Sequence, residues 1–368
     1  MSYFEFDRDK LNVKPLSERQ NKVFIERDHI PVAMQPRIMH EESVNIIRQT
    51  AARIRKAREL KSSVILAFGA HTIKNGMAPT LIDLMETGWL THLATNGAGI
   101  IHDWEFAYQG KSSEDVRENV KLGQFGIWEE TGFYINLALV VGAYEGLGYG
   151  ESVGKMIFEE GLSIPDRNFL YDQCGEMIRI NPRKAAAAAD LADTLSHFNI
   201  PAGYMSIKHP YKRYSVQCKA YELKVPFTGH PMIGHDIIYN HPANNGGAVG
   251  RTALKDFLVY TNSVSNLENG VYLSVGSAVM SPMIFEKALS MARNVKLQTT
   301  RQINDPYILV VDLAESEWDW TKDGEPPADS PAYYLRYCKT FSRMGGEMHY
   351  LTADNRDFLL ALNQMLKK

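Results

Sequence analysis

Residues Val64 to Gly110 confine this chain to a narrow set of folds. The apolar run Val64 to Phe68 stops at Gly69 and Ala70, which reads as a buried strand ending in a tight turn. Met77, Leu81, Leu84 and Met85 then recur at helical spacing, and Gly88 closes that helix as a left-handed cap. A second apolar run, Trp89 to Ala94, leads into Asn96, Gly97, Ala98 and Gly99. Strand, helix, strand is the βαβ unit of a parallel sheet, whose right-handed crossover puts both small-residue turns at the carboxyl edge of neighbouring strands. Open α/β sheets bind their ligands along that edge.

The side chains at these turns are chemically active ones. The first turn carries His71 and Lys74, and the second is followed within one helical turn by His102, Asp103 and Glu105. Small residues let a ligand approach the backbone, and free N–H groups at a helix start attract anions such as a pyrophosphate. Neither turn has the GxGxxG spacing, so spacing by itself does not identify a dinucleotide site.

Further along, Val225 to Thr228 reads as a short strand followed by His230, His235, Asp236 and His241 between glycines. Imidazole and carboxylate ligate zinc and iron, so a metal-dependent hydrolase or lyase is one reading of this turn. The spacing is not HExxH and fixes no two ligands on one helical face, which favours acid/base work or hydrogen bonding and no metal. Gly270 to Val275 is another strand, followed by the turn GSAVMSP and a helix from about Pro282 to Arg293. Tyr307 to Leu313 is a further strand. Ser112 and Ser113 read as N-caps of a helix opening with Glu114 and Asp115, and the tail as an aromatic helix, Ala332 to Phe341, then a last helix from about Asp354. Residues 1–60 form a proline-punctuated arm and a helix, and residues 61–368 a single α/β domain.

Composition excludes several classes. The net charge of −3 leaves no electrostatic footprint for nucleic acid. No apolar run approaches the roughly 20 residues needed to cross a bilayer. The three cysteines, Cys174, Cys218 and Cys338, form neither a disulfide framework nor a zinc motif, and MSYFEFDRDK is not a signal peptide; a cytoplasmic protein is expected.

TNGAGIIHDWE after one strand and GAHTIKNG after another resemble the deoxyhypusine synthase family. The similarity continues at VPFTGHPMIGHDI and VYLSVGSAVMSPMIFEKAL, from about Val64 to about Asn294. The resemblance implies a three-layer Rossmann-like parallel sheet with helices on both faces, binding NAD, in a homo-oligomer (tetramer or dimer). It places cofactor contacts at Gly69, Ala70, His71, Thr95, Asn96, Gly97, Ala98, Gly99, Gly276 and Ser277. The family works through an imine on a lysine, where this chain has Ser281, and no lysine occurs between Gly270 and Glu286. A serine forms no Schiff base, so deoxyhypusine synthesis itself is not expected.

Family acids that pair with a polyamine fall near His230 and His235, leaving Asp236 as the carboxylate there. A different reaction on the same scaffold is therefore expected, on a small neutral or anionic metabolite. His102, Asp103, His235, Asp236 and Lys74 are the candidate catalytic residues, and His230, Ser281 and Glu105 the candidate substrate contacts. Lys74 could supply an amine or bind a carboxylate or phosphate; the second is favoured. A ligand-binding protein without catalysis is the remaining alternative.

Overall fold

The computed structural model describes residues 3–299 and 301–368. Six strands form one fully parallel sheet: β1 (Val64–Phe68), β2 (His92–Asn96), β3 (Phe227–His230), β4 (Val271–Val275), β5 (Tyr307–Asp312) and β6 (Glu347–Thr352). Their spatial order is β6-β5-β4-β1-β2-β3. This is the doubly wound order of a Rossmann-like sheet, whose direction of winding reverses between β1 and β4. At that reversal Phe68 pairs with Val275, so the turns beginning at Gly69 and Gly276 leave the sheet side by side.

Alternation along β1 builds the two cores. Val64, Leu66 and Phe68 pack on one face with α1 (Glu41–Glu59), α3 (Ala78–Glu86) and α4 (Gly97–Gln109). Ile65 and Ala67 face α10 (Gly246–Val264) and α11 (Met280–Leu297) with Tyr260, Tyr272 and Phe285. Every β1 side chain is buried, as expected of a parallel strand covered on both faces. Each such Leu, Val or Phe contributes about 1.5–3 kcal/mol by leaving water. A short helix, α2 (Ala70–Lys74), fills the turn between β1 and α3.

Between α4 and β3 the chain inserts a short helix, Val116–Lys121, and then α5 (Glu129–Glu145), α6 (Tyr149–Glu159), α7 (Arg167–Met177), α8 (Pro182–His197) and α9 (Val216–Leu223). The last helix is α13 (Asn355–Leu366), preceded by α12 (Arg336–Ser342). The arm before α1 lies along the body of the protein. Its Val23–Phe24 pairs antiparallel with Lys111–Ser112, and Arg37 binds Asp354 and Asp357 at the start of α13. Among the described residues no helix is long and apolar enough to cross a membrane.

Several boundaries differ from the sequence expectation for local reasons. β2 begins at His92 because Trp89 and Leu90 belong to the turn after Gly88, closed by N–H donation from both to the Leu84 carbonyl. Ser112 lies in the short pairing with the arm, and Asp115 caps the following helix by accepting from Glu118. The segment Ala332 to Phe341 breaks into a single turn and α12. Glu347–Thr352 is a strand that the sequence reading missed altogether. It is the outermost strand on its side of the sheet and only Met348 and Leu351 are buried, so its pattern lacks the apolar run that marks β1.

Candidate functional site

Among the described residues, two cavities open at the carboxyl edge of the sheet. One, of about 260 Å³, lies over the winding reversal and is lined by His71, Asn75, Gly276, Val311, Asp312, Leu313, Ala353, Asp354 and Asn355. The other, of about 190 Å³, lies beside the start of α4 and is lined by Arg19, Lys74, Ala98, Ile101, His102, Glu105, His235 and Asp236 among others. α2 joins them, since it carries His71 into the first and Lys74 into the second.

Two glycine turns meet beside the first cavity. A Cβ on Gly69 would sit 2.2 Å from the Gly276 carbonyl oxygen, so the two turns touch and Gly69 cannot be any larger residue without moving the backbone. Gly276 has φ of 57°, in the left-handed region, and a Cβ there would meet nothing within 4 Å. Its α-carbon therefore leaves room for a ligand to come down onto the chain. Asp312 spends one carboxylate oxygen on the Ala314 N–H at 3.2 Å. Asp354 caps α13 and pairs with Arg37.

Buried titratable groups dominate the second cavity. Arg19 donates to both oxygens of Glu105 at 2.7 and 2.6 Å, and both side chains are almost completely buried. Burial pushes the Glu105 carboxyl up, but the charge and hydrogen bonds of Arg19 outweigh it, and the net direction is down. Thr131 also donates to Glu105 at 3.0 Å, and the Ser112 hydroxyl makes a short bond to its other oxygen. Ser112 in turn meets Nδ1 of His102 at 2.7 Å. Desolvation takes the His102 pKa down to about 4, with Glu105 working the other way, so the ring is neutral at pH 7.

Asp236 behaves in the opposite sense. Its carboxylate packs against Gly97 at the first turn of α4, where a Cβ would lie 2.0 Å from Oδ2. Oδ2 is buried without a hydrogen-bond partner, and desolvation pushes the pKa up to about 7. A neutral imidazole and a carboxylic acid thus share one cavity, the separation of roles that acid/base chemistry uses. Lys74 is half-buried at its wall, and His235 is exposed at its rim.

Other expected site residues go elsewhere. Asp103 faces away from the cavity and caps α9, accepting from Ser215 Oγ at 2.6 Å and from the Val216 and Gln217 N–H groups. Fully buried and satisfied, it is structural. Ser281 is also fully buried, with its hydroxyl 2.9 Å from that of Tyr272, which accepts from Tyr260. Neither Asp103 as a catalytic residue nor Ser281 as a substrate contact survives this placement. Glu105 lines the cavity but has both oxygens engaged, by Arg19, Thr131 and Ser112.

His230 lies under the edge against Tyr260, linked by Thr228 Oγ to His92 at 2.9 Å on each side, and reaches neither cavity. Ser277 spends its hydroxyl on the Ser281 N–H, and Thr95 donates to the Phe68 carbonyl. Asn96 caps α4 by accepting from Gly99. Ala70 starts α2, and Gly97, Ala98 and Gly99 start α4, so these turn residues lie at the edge as expected.

The residues of the metal reading lie apart. His241 is buried between Phe133 and Phe198 with Glu129 as its partner, apart from His230 and from the His235–Asp236 pair. Among the described residues no three His, Cys, Asp or Glu side chains converge as ligands. Arg19 and Ser112 were missed by sequence reasoning. Arg19 lies 86 residues from Glu105 in a polar arm, and no local pattern announces that pairing.

No family model matches the chain, and no curated protein matches it. Solved structures do. The ternary complex of AgrE with ornithine and NAD+ is 15% identical over 90% of this chain and 34% of that one, with a TM-score of 0.44. ArgZ, an arginine dihydrolase from the ornithine–ammonia cycle in cyanobacteria, is 14% identical over 90% and 33%, with a TM-score of 0.42. A LOR/SDH-like protein of Methanococcus maripaludis S2 is 12% identical over 91% and 73%, with a TM-score of 0.43. The chain spans about a third of the length of the AgrE and ArgZ chains. None of these three is a deoxyhypusine synthase, and that expected kinship is carried by the strand-turn residues alone.

Proposed function

We propose that this protein is an enzyme that binds NAD across the winding reversal and moves a proton and a hydride to or from a small metabolite bearing a carboxylate. The observation that carries the reading is the His102 imidazole, wired through Ser112 to a buried carboxylate, opening beside Lys74 and Asp236 next to a glycine-lined crevice. The residues present fit a dinucleotide. The bare α-carbon of Gly276 lets the pyrophosphate approach the backbone, and the Asp312 carboxylate at the cavity wall suits a ribose diol. The nicotinamide ring, when bound, supplies the hydride acceptor or donor.

The chain's own groups do the rest. Lys74 holds the substrate carboxylate, because a compact ammonium on a flexible stem suits a point-charge contact. Nε2 of His102 takes the proton from a substrate hydroxyl or amine, and Glu105 stabilises the imidazolium that forms, through Ser112. Asp236, protonated below about pH 7, donates to a substrate oxygen. Deoxyhypusine synthesis is not part of the proposal, since position 281 lacks an amine and its hydroxyl is engaged. We place the protein as a homo-oligomer in the cytoplasm.

Incubating purified protein with NAD+ and a panel of 2-amino and 2-hydroxy acids tests this directly. NADH should appear with at least one of them and be reduced by about 10²–10⁴-fold in His102→Gln. No NADH from any acid, together with no binding of NAD+ or NADH, would overturn the reading and leave a non-catalytic ligand-binding protein.

A further inference from the structure

The hydrogen-bond chain behind His102 has a direction, and the arm sets it. Glu105 is held by both guanidinium nitrogens of Arg19 and by Thr131. As a carboxylate it can only accept, so the Ser112 hydroxyl spends its one proton on it. Towards His102 the same oxygen has lone pairs left and nothing to donate. The 2.7 Å contact to Nδ1 is then made by an Nδ1–H group, and the lone pair of the ring is on Nε2.

We infer that Arg19 is a positioning residue of the site: it polarises the chain Glu105–Ser112–His102 so that Nε2 of His102 stands unprotonated towards the cavity. The arm does this twice over. It supplies the guanidinium, and its Val23 pairs with Ser112 in the two-residue ladder that fixes where the hydroxyl lies. Arg19 is itself held, by donation to Asn21 at 2.9 Å and by lying over the Trp128 ring at 5.9 Å. The arm is therefore a component of the catalytic centre as well as a cover for the body.

Without the guanidinium, a carboxyl this deeply buried takes up a proton. It can then donate to Ser112, which is free to donate to Nδ1, and the whole chain reverses. His102 would carry its proton on Nε2 and could no longer accept one from a substrate. This inference rests on the proposed role of His102 but needs neither cofactor nor substrate to test.

Multiple-bond proton–nitrogen correlation spectra of the full chain carrying isotope-labelled histidine report each ring's tautomer, and the His102 signal is the one missing in His102→Gln. The wild type should show the Nδ1–H form at neutral pH. Arg19→Met should move the tautomer ratio about tenfold or more towards Nε2–H, the worth of one hydrogen bond to a charged group. Arg19→Lys, which keeps the charge, should retain the wild-type form. Should Arg19→Met not fold, Ser112→Ala, which removes the acceptor, should lose the Nδ1–H preference. An Nε2–H ring in the wild type, or an unchanged ring in folded Arg19→Met, overturns the inference. If NAD binds and His102 has the wrong tautomer, only this inference falls. If His102 behaves as stated and no dinucleotide binds, the functional reading falls.

Discussion

The two cavities on the carboxyl edge are built by opposite means. Over the reversal, the walls are the turn at Gly276 and the polar side chains of His71, Asn75, Asp312, Asp354 and Asn355, with no buried ion pair among them. Beside α4, the walls are a buried ion pair, a neutral imidazole and a carboxyl whose Oδ2 has no partner. A surface of the first kind recognises shape and hydroxyl groups. One of the second kind stores unfavourable desolvation, which folding maintains at positions where protons can be moved. The division of labour proposed here, cofactor over the reversal and chemistry beside α4, follows from that contrast.

The contrast breaks most visibly if Glu105 is removed. Glu105→Ala leaves the Arg19 charge buried without its partner and should cost about 3–5 kcal/mol of unfolding free energy, measured by urea denaturation. A loss below about 1 kcal/mol would mean that water reaches the pair, and the second cavity would then resemble the first. His102→Gln should leave unfolding within about 1 kcal/mol of the wild type, while NADH formation falls as stated above. A large stability loss with unchanged activity would make the histidine structural.

Asp236 gives the pH signature. Its folded pKa, about 7, lies above the ordinary carboxylate value, so the folded state holds the proton more tightly than the unfolded chain does. The stability it contributes is complete below about pH 4 and is lost as the pH rises through about 7. Asp103 and Asp256 are shifted in the same sense, so the comparison must be with Asp236→Asn. That variant should gain on the order of 1–3 kcal/mol relative to the wild type between pH 5 and 8, read from denaturation curves at each pH. Parallel profiles would show that the carboxyl is hydrated. The smallest effect belongs to the first cavity. Asp312→Asn should weaken NAD binding about tenfold and leave stability within about 0.5 kcal/mol, by calorimetric titration.

How much of this was legible in the chain follows the same division. β1 shows itself as an uninterrupted apolar run because it is buried on both faces, and the turns beside it are legible because glycine marks them. Lys74, His102, His235 and Asp236 could be grouped because each lies just after a strand of one parallel sheet. β6 was invisible because, unlike the other edge strand β3, most of its side chains are only partly buried or exposed. Asp103 was misassigned because a cap and a catalytic acid have the same sequence appearance, and only the position of Ser215, 112 residues away, distinguishes them. Arg19 belongs to the same class: a long-range ion pair has no spacing rule.

Thermal and chemical unfolding in the presence of NAD tests the central claim, that the glycine-lined reversal is a dinucleotide site, most directly. At about 100 times its dissociation constant, NAD+ or NADH should stabilise the folded chain by about 2.7 kcal/mol, and Gly276→Val, which fills the crevice, should abolish that gain. No stabilisation by NAD+, NADH, NADP+ or NADPH, or an undiminished gain in folded Gly276→Val, would contradict it.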